Sequence, residues 1–169
     1  FDVELNDLNG GSLRAYIGKK GNFDVKESVS KLLKKEGDLN RTKTYQDFAS
    51  RLEKIKSEIN ALIEGAISNG QSVYVYGAST RGNTLLQYFG LDKAKITAAA
   101  ERNPNKWGKI MVGTNIPIIS EEEARKKNPD YFLVLPWAFK EEFVEREKEF
   151  IQNGGKLIFP LPELSVVQQ

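Results

Sequence analysis

The sequence predicts an α/β fold. The expected core is a doubly wound, mainly parallel sheet of about five strands with flanking helices, preceded by a β-hairpin and a long helix. Three observations predict it. From residue 72 onward, short apolar runs alternate with segments of helical spacing. The run Val73–Tyr76 leads through a glycine turn into a helix. The strand candidates are continuously apolar, so they need cover on both faces.

Each element has a local reason. Residues 1–18 alternate around Asn9-Gly10-Gly11 and read as a hairpin. Residues 19–24 are polar and glycine-containing, a linker. A short helix is expected over 25–36, with Val25, Val29, Leu32 and Leu33 on one face and Gly37 as its stop. After a loop over 37–41, a helix over 42–68 carries Tyr45, Phe48, Leu52, Ile55, Ile59 and Ile63 at spacings of three and four. Asn69-Gly70 ends it. Then follow strand Val73–Tyr76, helix Gly82–Phe89 closed by Gly90, and strands Ile96–Ala100 and Ile116–Ile119. Ser120 and Glu123 form a capping box before a short helix. Strand Tyr131–Leu135, helix Lys140–Gln152 with Phe143, Val144, Phe150 and Ile151 inward, and strand Leu157–Phe159 complete the pattern. The organisation read from this is a hairpin (1–18), a linker and helical segment (19–71), and a Rossmann-like domain (72–169).

Composition narrows the chemistry. The 169 residues are 40% hydrophobic and 28% charged, as in a soluble globular protein, and the formal net charge of +2 gives no strong pull toward nucleic acid. No apolar run is long enough for a membrane helix, and no signal-peptide pattern opens the chain, so a cytoplasmic location is expected. Cysteine and histidine are both absent, which excludes disulfides, Cys/His zinc sites, thiol nucleophiles and His-based triads within this chain. The first residue is Phe1, and the chain reads as part of a longer protein.

In a doubly wound sheet, ligands bind beyond the carboxyl ends of the strands. The loop Gly77-Ala78-Ser79-Thr80-Arg81-Gly82-Asn83 joins a strand to a helix N-terminus, where free N–H groups and the helix dipole suit a phosphate. Asn83 stands where a P-loop has its lysine, so nucleoside triphosphate hydrolysis is not expected. The pattern G-x-G-x-x-G is also unmet, which argues against a nicotinamide-dependent enzyme. Ser79, Thr80 and Arg81 add two hydroxyls and a guanidinium suited to an anion. Glu101 follows at roughly the twenty-residue interval of a ribose-binding acid, with Arg102, Asn103 and Lys106 after it. Trp137 and Phe139 lie in a third loop, either packed within the fold or against a ligand ring. The charge-rich segments 121–127 and 140–149 read as solvated helix faces.

These loops carry a resemblance. Asn9-Gly10-Gly11-Ser12-Leu13-Arg14, Tyr76-Gly77-Ala78-Ser79-Thr80-Arg81-Gly82-Asn83-Thr84, Arg102-Asn103-Pro104-Asn105-Lys106-Trp107-Gly108, Gly113-Thr114-Asn115-Ile116-Pro117 and Pro129-Asp130-Tyr131 through Pro136-Trp137 resemble the C-terminal domain of S-adenosylmethionine-dependent C-methyltransferases acting on nucleotide-linked deoxysugars. The family often has His where Asn9 stands, Lys for Arg81 and Asp for Glu101. The resemblance implies that a zinc domain and a methyltransferase domain lie upstream, that residues 1–18 are the last two strands of the latter, and that S-adenosylmethionine is bound mainly there. It further implies that Gly77–Asn83, Glu101, Arg102, Asn103, Lys106 and Trp137 help hold a nucleotide-sugar substrate, with the catalytic residues upstream of this chain; from composition and charge, no metal site, nucleic-acid partner or membrane contact is expected. Alone, the chain is then not expected to methylate anything. The alternative is a non-catalytic protein-interaction module with a structural Rossmann-like fold.

Overall fold

The computed structural model describes residues 1–169, the side chain of Asn9 excepted, so the position where the family often has His lies outside the described side chains. The chain forms two compact units, Phe1–Leu52 and Glu53–Gln169, with the division inside a long helix.

In the first unit, β1 (Asp2–Asn6) pairs antiparallel with β2 (Ser12–Tyr16) through a 3-10 turn at Leu8–Gly10. Gly10 and Gly11 both take positive φ, which explains the glycine pair. The register sets Leu5 opposite Leu13 and Val3 opposite Ala15. That face stays open, with Leu5, Leu13 and Ile17 exposed. Lys26 and Ser28 both bond the Asp2 carboxylate at 2.6 Å, and the Phe1 ring stacks on Phe23 at 4.3 Å. Helix α1 (Glu27–Lys35) is shorter than the sequence predicts, and Val25 and Leu33 are exposed rather than inward. The predicted loop 37–41 is a 3-10 turn over Gly37–Asn40.

Helix α2 spans Thr42–Ser68, as its spacing predicts. Its two halves differ. Tyr45 and Phe48 are exposed, whereas Ile55, Ile59, Ile63 and Ala66 are buried in the core of the second unit.

The second unit is built on a six-stranded sheet. The strands are β3 (Val73–Tyr76), β4 (Ala99–Glu101), β5 (Ile118–Ser120), β6 (Tyr131–Val134), β7 (Lys156–Phe159) and β8 (Ser165–Val167). Their spatial order is β5-β4-β3-β6-β7-β8. Every pairing is parallel except the last, β7 with β8. This is the doubly wound dinucleotide-fold order, with its switch point between β3 and β6. The sixth strand is absent from the five-strand expectation because Ser165–Val167 is a brief edge segment following Pro160 and Pro162.

Alternation along the buried strands splits the core in two. Val73, Val75, Leu133 and Ile158 pack with α2 and with α3 (Thr80–Phe89). Tyr74, Tyr76, Phe132 and Val134 pack on the other face with Ala124 of α4 (Glu121–Lys126), Phe143 of α5 (Lys140–Arg146) and Ile151 of α6 (Lys148–Gln152). The expected single helix over 140–152 is interrupted at Glu147, whose backbone leaves helical geometry at φ −102° and ψ 22°. Its carboxylate is buried against the end of β3, a tertiary demand that periodicity does not reveal. The Ser120 cap is present, its Oγ accepting the N–H of Glu123 at 3.0 Å.

Candidate functional site

The loops after β3, β4 and β6 meet at the switch point. Gly77 turns the chain at φ 88°, and a Cβ there would sit 3.1 Å from Pro136. Gly82 is buried on α3, where a Cβ would lie 2.5 Å from Leu135, so helix and strand approach closely only because both positions are glycine.

Ser79 caps α3, its Oγ accepting the N–H of Gly82 at 3.0 Å, while its carbonyl accepts the N–H of Asn83. The N–H of Ala78 is taken by the Glu101 carboxylate at 2.9 Å. The N–H groups of Ser79, Thr80 and Arg81 have no acceptor among the described residues. They stand at the positive end of the α3 dipole. The side chain of Arg81 is exposed and outside every described ion pair. Asn83 faces elsewhere: its Nδ2 donates to the carbonyl of Val112 at 2.9 Å, tying the 109–115 loop to α3.

Glu101 is committed to the protein. Besides Ala78 it accepts the N–H of Asn103 at 3.0 Å and the Lys106 ammonium at 3.2 Å. Lys106 also donates to the carbonyl of Ala78 at 2.9 Å, so it clamps both sides of the turn. Burial pushes the Glu101 carboxyl up, but the N–H groups of Asn103 and Ala78 and the Lys106 charge outweigh it and hold it below its ordinary value. Asn103 caps the next 3-10 turn through Asn105, and Arg102 is exposed. Trp137 packs against the second core cluster.

Beside the turn lies a cleft of about 310 Å³. Gly77, Glu101 and Arg102 border it on one side. It is also lined by Phe139, named above as a candidate for a ligand ring, and by Pro136, Glu121, Glu142, Phe143 and Arg146, which the sequence reading does not mark as binding residues. A signal was present, because Phe139, Glu142, Phe143 and Arg146 recur at the three- and four-residue spacing of one helical face, directly after a strand end.

Behind the cleft, the expectation that 121–127 and 140–149 are solvated faces holds for most of their charged residues and fails at Glu121, Arg146 and Glu147. Glu147 is 2% exposed and accepts from the Tyr76 hydroxyl at 2.7 Å and from Arg125 Nη2 at 2.7 Å. Arg125 also donates to the Tyr76 oxygen at 2.6 Å. Burial and the neighbouring Glu147 carboxylate both push the Tyr76 phenol well above its ordinary value. For Glu147 burial pushes upward, but Arg125 and Tyr76 prevail and keep it below the usual carboxylate range. Arg146 stacks over Phe143 and Tyr76, at 4.5 and 5.0 Å from the ring centres. These side chains leave two helices projecting inward toward the end of β3, which a charge count cannot distinguish from a wet face.

A doubly wound sheet with a glycine turn and a cleft at its switch point defines a Rossmann-like α/β class, on which many unrelated functions are built. The family model described as "C-methyltransferase C-terminal domain" matches residues 7–162. The chain is also 36% identical over 169 residues to the C-methyltransferase NovU of Streptomyces niveus, an alignment covering 98% of this chain and 40% of that protein. The chain therefore belongs to the C-methyltransferase C-terminal domain family. It spans 40% of the length of the curated relative it matches. No helix is long and apolar enough to cross a membrane.

Proposed function

We propose that this chain is the substrate-holding C-terminal part of an S-adenosylmethionine-dependent C-methyltransferase acting on a nucleotide-linked sugar. The observation that carries the reading is the set of unpaired N–H groups of Ser79, Thr80 and Arg81 at the start of α3, at the switch point of the sheet. A phosphate of the substrate sits on these donors, with the Arg81 guanidinium beside it. Because Glu101 already fills the donor of Ala78, the phosphate engages the later N–H groups. Glu101, Asn103 and Lys106 act on the ligand through the shape of the turn, and Arg102 meets it directly from the cleft border.

The methyl donor belongs to the upstream methyltransferase domain in this reading. The acid that would hold its ribose is already engaged by Ala78, Asn103 and Lys106. The open Leu5–Leu13 face of the hairpin supports residues 1–18 being the closing strands of that domain. In the whole enzyme, methyl transfer follows proton removal from the sugar carbon by a base outside this chain. This chain contributes positioning.

A second reading, a non-catalytic interaction module, draws on the same exposed Leu5, Leu13 and Ile17. Calorimetric titration with UDP and dTDP separates the two. Saturable binding weakened by Arg81→Ala supports the substrate reading, and absence of binding in both this chain and the full-length protein contradicts it.

A further inference from the structure

We propose that the cleft beside the glycine turn is a subsite for one hydroxylated sugar ring, held by Glu142, Arg146 and Arg102 against the Phe139 and Pro136 wall. The inference deepens the nucleotide-sugar reading and rests on it for the phosphate that brings the ring to the turn.

Charge balance favours a neutral guest in this cleft. Glu101, Glu121 and Glu142 face it against Arg102 and Arg146, and Lys106 on Glu101 together with Arg125 beside the buried Glu147 brings the set to no net charge. Five ionic side chains equally disfavour a purely apolar guest. Carboxylates that accept, guanidiniums that donate, and a proline and phenylalanine for C–H faces match a neutral polyol ring, whose hydroxyls both donate and accept. The volume of about 310 Å³ stands at the low end of small-molecule sites, enough for one ring and too small for a whole dinucleotide.

Two of these groups are free for a ligand. Glu142 and Arg102 take part in no ion pair or hydrogen bond among the described residues. Arg146 is held by charge rather than by hydrogen bonds. It lies 3.3 Å from Glu147 and 3.7 Å from Glu121, yet its buried Nε and Nη2 have no acceptor in good geometry. A buried donor left unsatisfied calls for an explanation. A ring hydroxyl entering the cleft would draw the guanidinium into bonded geometry. Gly77 borders both turn and cleft, so one ligand reaches both.

The ring can come from two sources, the ribose of the nucleotide or the hexose attached to it, and NMR titration of the chain separates them. The probes are inorganic pyrophosphate, uridine, methyl α-D-glucoside and UDP-glucose. The expected result is a saturable shift of the Phe139 and Phe143 ring signals with uridine or with the glucoside, identifying ribose or hexose respectively. Glu142→Gln and Arg146→Lys each weaken that arm by about tenfold and leave pyrophosphate binding unchanged. The inference is overturned if no ring-bearing probe shifts these signals, or if Glu142→Gln leaves the ring arm unaltered. Pyrophosphate binding without a ring response removes this subsite and leaves the phosphate reading standing. A ring response without pyrophosphate binding does the reverse.

Discussion

The Glu101 carboxylate bonds the N–H of Ala78 at 2.9 Å, so the chain supplies an anion to the first donor of its own glycine turn. Lys106 offsets that charge by bridging Glu101 and the Ala78 carbonyl. A phosphate on the next N–H groups therefore feels an internal negative charge that a bare turn would lack. Glu101→Gln should raise the affinity for pyrophosphate roughly three- to tenfold at low salt, with the gain fading as salt increases. Titration at two ionic strengths checks this. Unchanged affinity would mean that phosphate does not bind near the turn.

Glu147 is the second internal anion, and here the consequence is stability. Its carboxylate is buried and shared by Tyr76 and Arg125, with Arg146 at 3.3 Å. Removing the carboxylate leaves the buried Tyr76 hydroxyl without its acceptor, while Arg125 is partly exposed and keeps Glu121, so the cost is about 1–3 kcal/mol. Glu147→Ala should lose this much in urea unfolding. A loss under about 1 kcal/mol would show that the group behaves as an ordinary surface pair.

The same groups set a pH window. Glu147 and Glu101 are held below their ordinary values in the folded chain, so their contribution is present at neutral pH. It fades as pH falls below about 4.3, the unfolded carboxylate value, toward their folded ones. Tyr76 is raised, so its contribution is present below about pH 10 and is lost as pH climbs above the unfolded phenol value. Unfolding free energies measured from pH 3 to 11 should fall at both ends. Tyr76→Phe should flatten the alkaline fall relative to the wild type, and Glu147→Gln should flatten the acid one.

Close packing at the turn is testable independently of any ligand. A Cβ at Gly82 would lie 2.5 and 2.7 Å from Leu135 atoms. Gly82→Ala should cost about 1–3 kcal/mol through overpacking, and Gly90→Ala provides a contrast. Gly90 has open space but φ 71°, so its cost should stay near 1 kcal/mol and be purely conformational. Thermal unfolding of the two variants distinguishes crowding from backbone strain.

Local signals carried most of the architecture into the sequence. Residues 42–68 show an uninterrupted three-and-four spacing, and α2 has those bounds. Val73–Tyr76 is continuously apolar because α2 and α3 cover one face and α4 to α6 the other. What stayed hidden was tertiary. Glu121, Arg125, Arg146 and Glu147 look like any charged helix surface until the sheet twists the end of β3 against them. Val25 and Leu33 have helical spacing, yet nothing within the first unit covers them. At the site, Gly77 and Gly82 were legible as a turn, because a strand followed by glycines and then a helix has few other solutions. That Glu101 bonds Ala78, and that Asn83 holds Val112, depends on loop paths that no spacing encodes.

The proposed function rests on the turn at the start of α3 binding the phosphate of a nucleotide-linked substrate. Calorimetric titration of the chain and of the full-length protein with UDP and dTDP, each repeated with Arg81→Ala, tests it most directly. The expected result is saturable binding of a nucleoside diphosphate that Arg81→Ala weakens by about tenfold, or roughly 1.4 kcal/mol. Binding that ignores Arg81, or no binding to either protein, would contradict it.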